Sequence, residues 1–324
     1  MTSVTGHSEI DAEPAGDMAS TGRRADRIFR GLATGSGLLV VLLIAAMAVF
    51  LISQAVPALI KNQANFLTSR VWDVSSGALR FGIPDLIWVT VVSSLVAMII
   101  AVPIAVAVAL FLTQYAPPRL AAPFGYIVDL LAAVPSIIFG LWGLKVLGPH
   151  VGPVQDFLIK ILDWIPLFTG PALTGTIFLA SVVLAIMILP IVTALSREVF
   201  DQTPVAHKEG ALALGATRWE MIRTAVLPFG AGGVTSAAML GLGRALGETI
   251  AVTIIMSTNP GAFSLSLFTG GETFASRIAN NASEFDSPLK AGAFISAGLV
   301  LFILTFLVNA IARVIIERRK AFVE

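Results

Sequence analysis

The chain has 324 residues, of which 56% are apolar and 13% charged, with a formal net charge of +1, no Cys and three His. Charged residues at about half the quarter share usual in soluble proteins place it in a membrane, and the near-zero net charge gives no argument for nucleic acid or an acidic partner. Without Cys there are no disulfides, thiolate nucleophiles or Cys-based metal sites, and His7, His150 and His207 are too dispersed to form a metal ligand set.

Residues 1–26, rich in Ser, Thr, Gly and acidic side chains, read as a disordered polar tail, and 27–324 as one membrane domain. Apolar runs at Leu32 to Leu59, Leu86 to Leu112, Phe124 to Leu147, Pro171 to Leu195, Phe229 to Ser257 and Ala291 to Ile316 each suffice for a bilayer core, which takes about 20 helical residues. The expected fold class is an all-α membrane protein with six transmembrane helices. The first run is too long for a cleaved signal core and reads as a retained anchor.

Arg and Lys set the orientation. Arg23, Arg24, Arg27 and Arg30 precede the first span; Arg119 follows the second; Arg197, Lys208, Arg218 and Arg223 follow the fourth; Arg313, Arg318, Arg319 and Lys320 end the chain. An even number of spans puts all of these on one side, which the positive-inside rule makes the cytoplasm, with both termini there.

Between the first two spans, Ile60 to Pro84 is rich in polar and turn residues and reads as a small external cap. Pro103, Pro135 and Pro190 fall within spans, where a missing N–H and a ring clash predict kinks. From Asp156 to Trp164, helical spacing of Phe157, Leu158, Ile161 and Leu162 predicts a short interfacial helix.

The cytoplasmic loop 196–228 is the most structured connection. Thr203 is placed to cap a helix opening on Pro204 and running to Gly215, whose access to positive φ suits a C-terminal stop. Thr217-Arg218-Trp219-Glu220 spells a capping box, and Pro228 is expected to close the second helix. The outline is that of a helix-turn-helix, but the flanking spans hold it at the membrane, away from a DNA groove. A charged, turn-organised segment on a chain with no nucleotide-binding loop points to docking of a separate energy-supplying protein; the alternative is an ordered connector without a partner.

In the fifth span, Arg244 lies about 22 Å beyond Phe229 at 1.5 Å per residue, where an unpaired Arg costs about 2.5–3.5 kcal/mol and must face protein or water. Arg244 and Glu248 are four apart, on one face of a continuous helix. Either Arg244 offers an anion its charge while Glu248 holds or gates it, or the two form a static salt bridge. Gly243 and Gly247 give a small-residue face for close helix approach. The spans hold too few ionisable groups for a catalytic set, so the chain is not expected to be an enzyme.

Glu209-Gly210-Ala211, then Gly215, then Ala225-Val226-Leu227-Pro228 resembles the EAA signature of ATP-binding-cassette (ABC) importer permeases at every spacing, with Gly210 and Ala225 departing in residue type. Arg244-Ala-Leu-Gly-Glu-Thr249 and Val134-Pro-Ser-Ile-Ile-Phe-Gly-Leu-Trp-Gly143 are similar to segments of phosphate-specific importer permeases. The resemblance covers the chain from about Arg27 to its end. It implies the type I ABC importer permease fold, a bacterial plasma (inner) membrane location, and a chain forming half of a phosphate path lined by Arg244, Glu248 and Thr249.

The resemblance also implies partners: a PstA-like companion permease, two ABC ATPase subunits that hydrolyse the ATP, and an extracytoplasmic phosphate-binding protein. Glu209, Gly210, Ala211, Gly215, Leu227 and Pro228 would couple to the ATPases. Membrane lipid surrounds the spans, and no nucleic acid or cofactor bound to this chain is expected. The rival readings are a permease for sulfate or molybdate and a secondary transporter working without an ATPase.

Overall fold

The computed structural model describes residues 22–74, 78–258 and 263–320, with side chains from 26 to 314. Most of the expected tail lies outside these residues, but Gly22–Asp26 already belong to the first helix, α1 (Gly22–Lys61). The chain divides into two units, one up to Phe50 and one from Leu51. In the first, the described side chains from Asp26 to Phe50 are exposed except half-buried Ala48, so α1 offers an apolar surface on every side there.

The second unit begins with the last turns of α1. An antiparallel pair of two-residue strands, β1 (Trp72–Asp73) and β2 (Arg80–Phe81), follows. Asn62 pins it, its amide donating to the Phe81 carbonyl at 2.7 Å and accepting from the Phe81 N–H at 3.1 Å. The expected cap is therefore a folded element, with Phe81, Phe294 and Ala58 buried beneath it.

Helix α2 (Pro84–Leu110) runs on through a π-turn at Phe111–Tyr115 and is continuous across Pro103. α6 (Ile177–Asp201) likewise continues across Pro190, and 72% of its apolar window is buried. That makes α6 the centre of the domain. Ala97, Ala101, Ala105 and Ala109 of α2 are fully covered, so small side chains let α2 and α6 approach closely and bury Leu179, Leu184 and Ile188. At the third proline, Pro135, the chain breaks between two helices, whereas Pro103 and Pro190 lie inside unbroken ones.

At Pro135 the third span is two helices, α3 (Pro118–Ala132) and α4 (Ser136–Trp142), bent by 92°. Pro135 adopts ψ 139° at the start of α4, because its ring and missing donor cannot continue α3. Among the described residues five helices are long and apolar enough to cross a membrane, and the bent pair, counted as one broken span, brings the number to six. Arg197 of α6 reaches Asp129 of α3 at 3.2 Å. Its guanidinium lies over Gly125, where a Cβ would come within 1.9 Å of Nη1.

The interfacial helix is present as α5 (Gly152–Leu162), but its buried anchor is Gln155, which donates to Thr176 at the head of α6 at 3.2 Å. Phe157 and Ile161, expected on the apolar face, are exposed. The remaining helices are α7 (Val205–Ala213), α8 (Arg218–Met221), α9 (Leu227–Gly247), α10 (Ile250–Ile255), α11 (Phe274–Asn280) and α12 (Pro288–Lys320).

Candidate functional site

The elbow between α6 and α9 follows local chemistry closely. α7 starts one residue later than the sequence suggests: Pro204 itself is the extended residue before the helix, and Thr203 is buried with its hydroxyl unpaired instead of capping. At the other end Gly215 takes φ +87°, its N–H bonding the Leu212 carbonyl while the Ala216 N–H bonds that of Ala211. This pair of bonds is a Schellman stop, which needs a residue without a Cβ at that φ.

Thr217 and Glu220 then close the capping box reciprocally. Glu209 and Gly210 face outward, while Ala211 and Leu227 pack on a small core of Phe200, Met221, Ile222 and Val226 that seats the elbow. Sequence reasoning missed the exposed apolar side chains here. Leu214 is 91% exposed, and Val205, Leu212 and Trp219 are also exposed.

Pro228 does not close the second helix. α8 passes through a π-turn at Ile222–Val226 directly into α9, giving one helical run from Arg218 to Gly247. The Leu227 N–H bonds five residues back to the Ile222 carbonyl, and the wider turn accommodates a proline that lacks a donor and would clash with an α-helical carbonyl.

α9 is held against α6 by Gly230, Gly233 and Gly241, where an added Cβ would come within 2.5 Å of Phe200, 2.4 Å of Val199 and 2.9 Å of Val192. The small-residue face expected at Gly243 and Gly247 is not that contact, since both have open space around them.

The expected Arg244–Glu248 pairing on one helix face is absent because α9 stops at Gly247. Glu248 is extended (φ −68°, ψ 124°) and buried, and its Oε1 accepts from the Ala251 N–H at 3.1 Å. The carboxylate thus satisfies a free donor at the start of α10, where the helix dipole favours negative charge. Thr249 sits in the break, its hydroxyl donating to the Gly247 carbonyl at 3.2 Å.

Half-buried Arg244 makes no ion pair or hydrogen bond among the described residues. It lines a cavity of about 560 Å³ with Gly243, Ser236 and Leu240 of α9, Ile191 of α6 and Asn309 of α12. Asn309 and Ser236 are polar members that sequence reasoning did not single out; lone polar residues in apolar runs were their signal. The arrangement can present one fixed positive charge to an anion, one turn from a helix break.

A family model described as "Binding-protein-dependent transport system inner membrane component" matches residues 101–321. The phosphate transport system permease protein PstC 2 of Mycobacterium tuberculosis is 54% identical over 94% of each chain. PstC of Mycobacterium leprae is 53% identical over 94% of this chain and 98% of its own, and PstC of Mesorhizobium japonicum 39% over 90% of each.

Among solved structures, a bacterial ABC transporter importing alginate aligns with TM-score 0.52 at 17% identity, over 89% of this chain and 98% of that one. The inward-facing MetNI methionine ABC transporter aligns at 0.51 and 18%, over 72% and 94%. These share the fold. The chain belongs to the binding-protein-dependent transport system inner membrane components, among their PstC permeases.

Proposed function

We propose that this chain is the permease subunit forming half of the translocation path for inorganic phosphate in an ATP-driven importer of the bacterial plasma membrane. It would work with a PstA-like companion permease, two ABC ATPase subunits and an extracytoplasmic phosphate-binding protein. The observation that carries this reading is the helical run from Arg218 to Gly247, which joins a solvent-displayed elbow at one end to the unpaired Arg244 and the break at Glu248 at the other.

The elbow suits docking. Exposed Val205, Leu212, Leu214 and Trp219 beside Glu209 offer an apolar patch with a charged edge, the mixture usual at a partner-binding surface. Force on α7 would pass through the rigid Gly215 turn into the helix carrying Arg244. The guanidinium would then attract the anion while Glu248, already engaged with the start of α10, holds the break open. Alternating access in this reading is a tilt of α9 over its glycine contacts with α6, a small-amplitude shear between packed helices.

The test is reconstitution of the chain with its three kinds of partner in proteoliposomes, measuring phosphate uptake and ATP hydrolysis. Arg244→Ala is expected to assemble normally and lower uptake by at least tenfold; uptake at the original rate overturns the pathway role. Uptake by the chain without an ATPase would instead establish the secondary-transporter reading, and equal uptake of sulfate the other-oxyanion one.

A further inference from the structure

Four charged side chains gather where α6 ends beside the elbow: Asp129 of α3, Arg197 and Asp201 of α6, and Lys208 of α7. Arg197 lays its guanidinium over Gly125 and holds Asp129, one turn further along α3. Asp201 is one turn further along α6, and its carboxylate makes no ion pair or hydrogen bond among the described residues. The charges of Arg197 and Lys208 both act on it, yet half-buried Lys208 is bonded to nothing among those residues either. Glu198, next to Arg197, is engaged by the Gln202 amide at 3.3 Å.

α3 is held in a way that makes the grip of Arg197 matter. Of its fifteen residues only Gly125 is buried, and Phe124, Tyr126, Ile127 and Leu130 are exposed. Ala116 and Pro117 before it are extended, and Pro135 after it has ψ 139°. The helix is therefore a rod between two breaks, where a few residues can absorb the backbone change of a hinge. Gly125 fixes the register, because a side chain there would collide with the guanidinium. Arg197 thus sets where α3 sits on α6.

Arg197 also has a second carboxylate within its reach. Residues four apart on a helix are neighbours, so the same guanidinium can turn from Asp129 to Asp201. Here it is on Asp129. Lys208 bears on that choice, since α7 starts four residues beyond the end of α6 and carries the ammonium with it. Opposite charges attract more strongly as they approach. A Lys208 near Asp201 offsets its charge and leaves Arg197 to Asp129; a Lys208 drawn away frees Asp201 to claim Arg197, and α3 loses its hold.

We propose that Arg197 is a positioning residue of the transport cycle: it clasps the half-span α3 to α6 through Asp129, and Lys208 of α7 keeps the clasp shut by offsetting the rival carboxylate, Asp201. Movement of the elbow then reaches α3 without passing through α9. The inference rests on reading α7 as the element that an ATPase moves, and adds a second route by which it acts.

The experiment follows backbone hydrogen exchange of α3 in the assembled importer in nanodiscs without nucleotide, and the ATP hydrolysed per phosphate taken up in proteoliposomes. Asp129→Asn keeps the side-chain shape and removes the charge. It should speed exchange of α3 about fivefold, leave α9 unchanged, and raise the ATP hydrolysed per phosphate about twofold. Lys208→Gln should speed α3 exchange about threefold. Adding Asp201→Asn to Lys208→Gln should return α3 to its wild-type exchange, because the rival carboxylate is then gone; independent structural losses would add instead.

Exchange of α3 unmoved by Asp129→Asn overturns the clasp. So does a Lys208→Gln variant with wild-type exchange, or a double variant in which α3 exchanges as fast as in Lys208→Gln alone. Faster exchange in Asp129→Asn with an unchanged ATP ratio makes Arg197 a structural support and overturns its positioning role. Should Asp129→Asn fail to assemble, the Lys208 and Asp201 variants, which break no ion pair, decide alone. A wild-type importer that takes up no phosphate but shows the expected exchange pattern overturns the phosphate reading and leaves the clasp standing.

Discussion

The inner elbow and the outer cap are both built around glycines, and they use them in opposite ways. In the elbow, Gly215 supplies a backbone angle and a Cβ added at Gly210 would meet nothing within 4 Å; in the outer region, Gly270, just before α11, and Gly82 of the cap are places where another segment's backbone presses against the chain, at 2.2 Å and 2.0 Å from a hypothetical Cβ. The elbow is shaped by neighbours in sequence and leaves its outer face exposed. The cap is shaped by segments far apart in sequence, with Ala58 of α1 and Phe294 of α12 buried against it.

The sharpest way to break this contrast is Gly270→Ala. The new methyl meets the Ser257 carbonyl and hydroxyl, so the importer complex is expected to lose about 3 kcal/mol of stability, read as a lowered thermal unfolding midpoint in detergent. A wild-type midpoint would mean the segment before α11 is loosely packed on Ser257. Asn62→Ala comes next, because it removes both bonds that pin β2 at Phe81; a loss of about 2 kcal/mol is expected in the same assay.

In the elbow the effects are smaller and local. Thr217→Ala removes the hydroxyl that accepts from the Glu220 N–H and should speed amide exchange of α8 about fivefold, with the outer cap unchanged. Exchange altered in the cap as well would show that the two ends are not independent. The smallest effect has the opposite sign. Gly210→Ala, in an exposed helix interior with open space, should stabilise α7 by about 0.5–1 kcal/mol in the same exchange measurement. If it costs as much as Gly270→Ala, the contrast between the two ends fails.

The same contrast explains what was legible in the sequence. Six crossings, the Gly215 stop and the Thr217–Glu220 box were readable because apolar run length and capping chemistry act over a few residues. The bent third span was half readable: Pro135 marked the place, but identical reasoning applied to Pro103 and Pro190, which sit in continuous helices. The pairing of Arg244 with Glu248 assumed an unbroken helix; Gly247 was a possible stop, but α9 runs unbroken through Gly230, Gly232, Gly233, Gly241 and Gly243, so glycine alone did not mark the end. The contact of Arg197 with Asp129 was not readable at all, since tertiary packing joins residues 68 positions apart.

The π-turn before Pro228 has a geometric consequence for the whole machine. A π-turn carries one residue more than an α-helical turn, and one residue in an α-helix is worth about 100° of rotation and 1.5 Å of advance. Pro228, by holding that extra residue in place, fixes the compass bearing of Arg244 relative to the elbow. Were the segment to rewind as plain α-helix, the guanidinium would swing about a quarter-turn around the axis of α9 and lose its present bearing on α7.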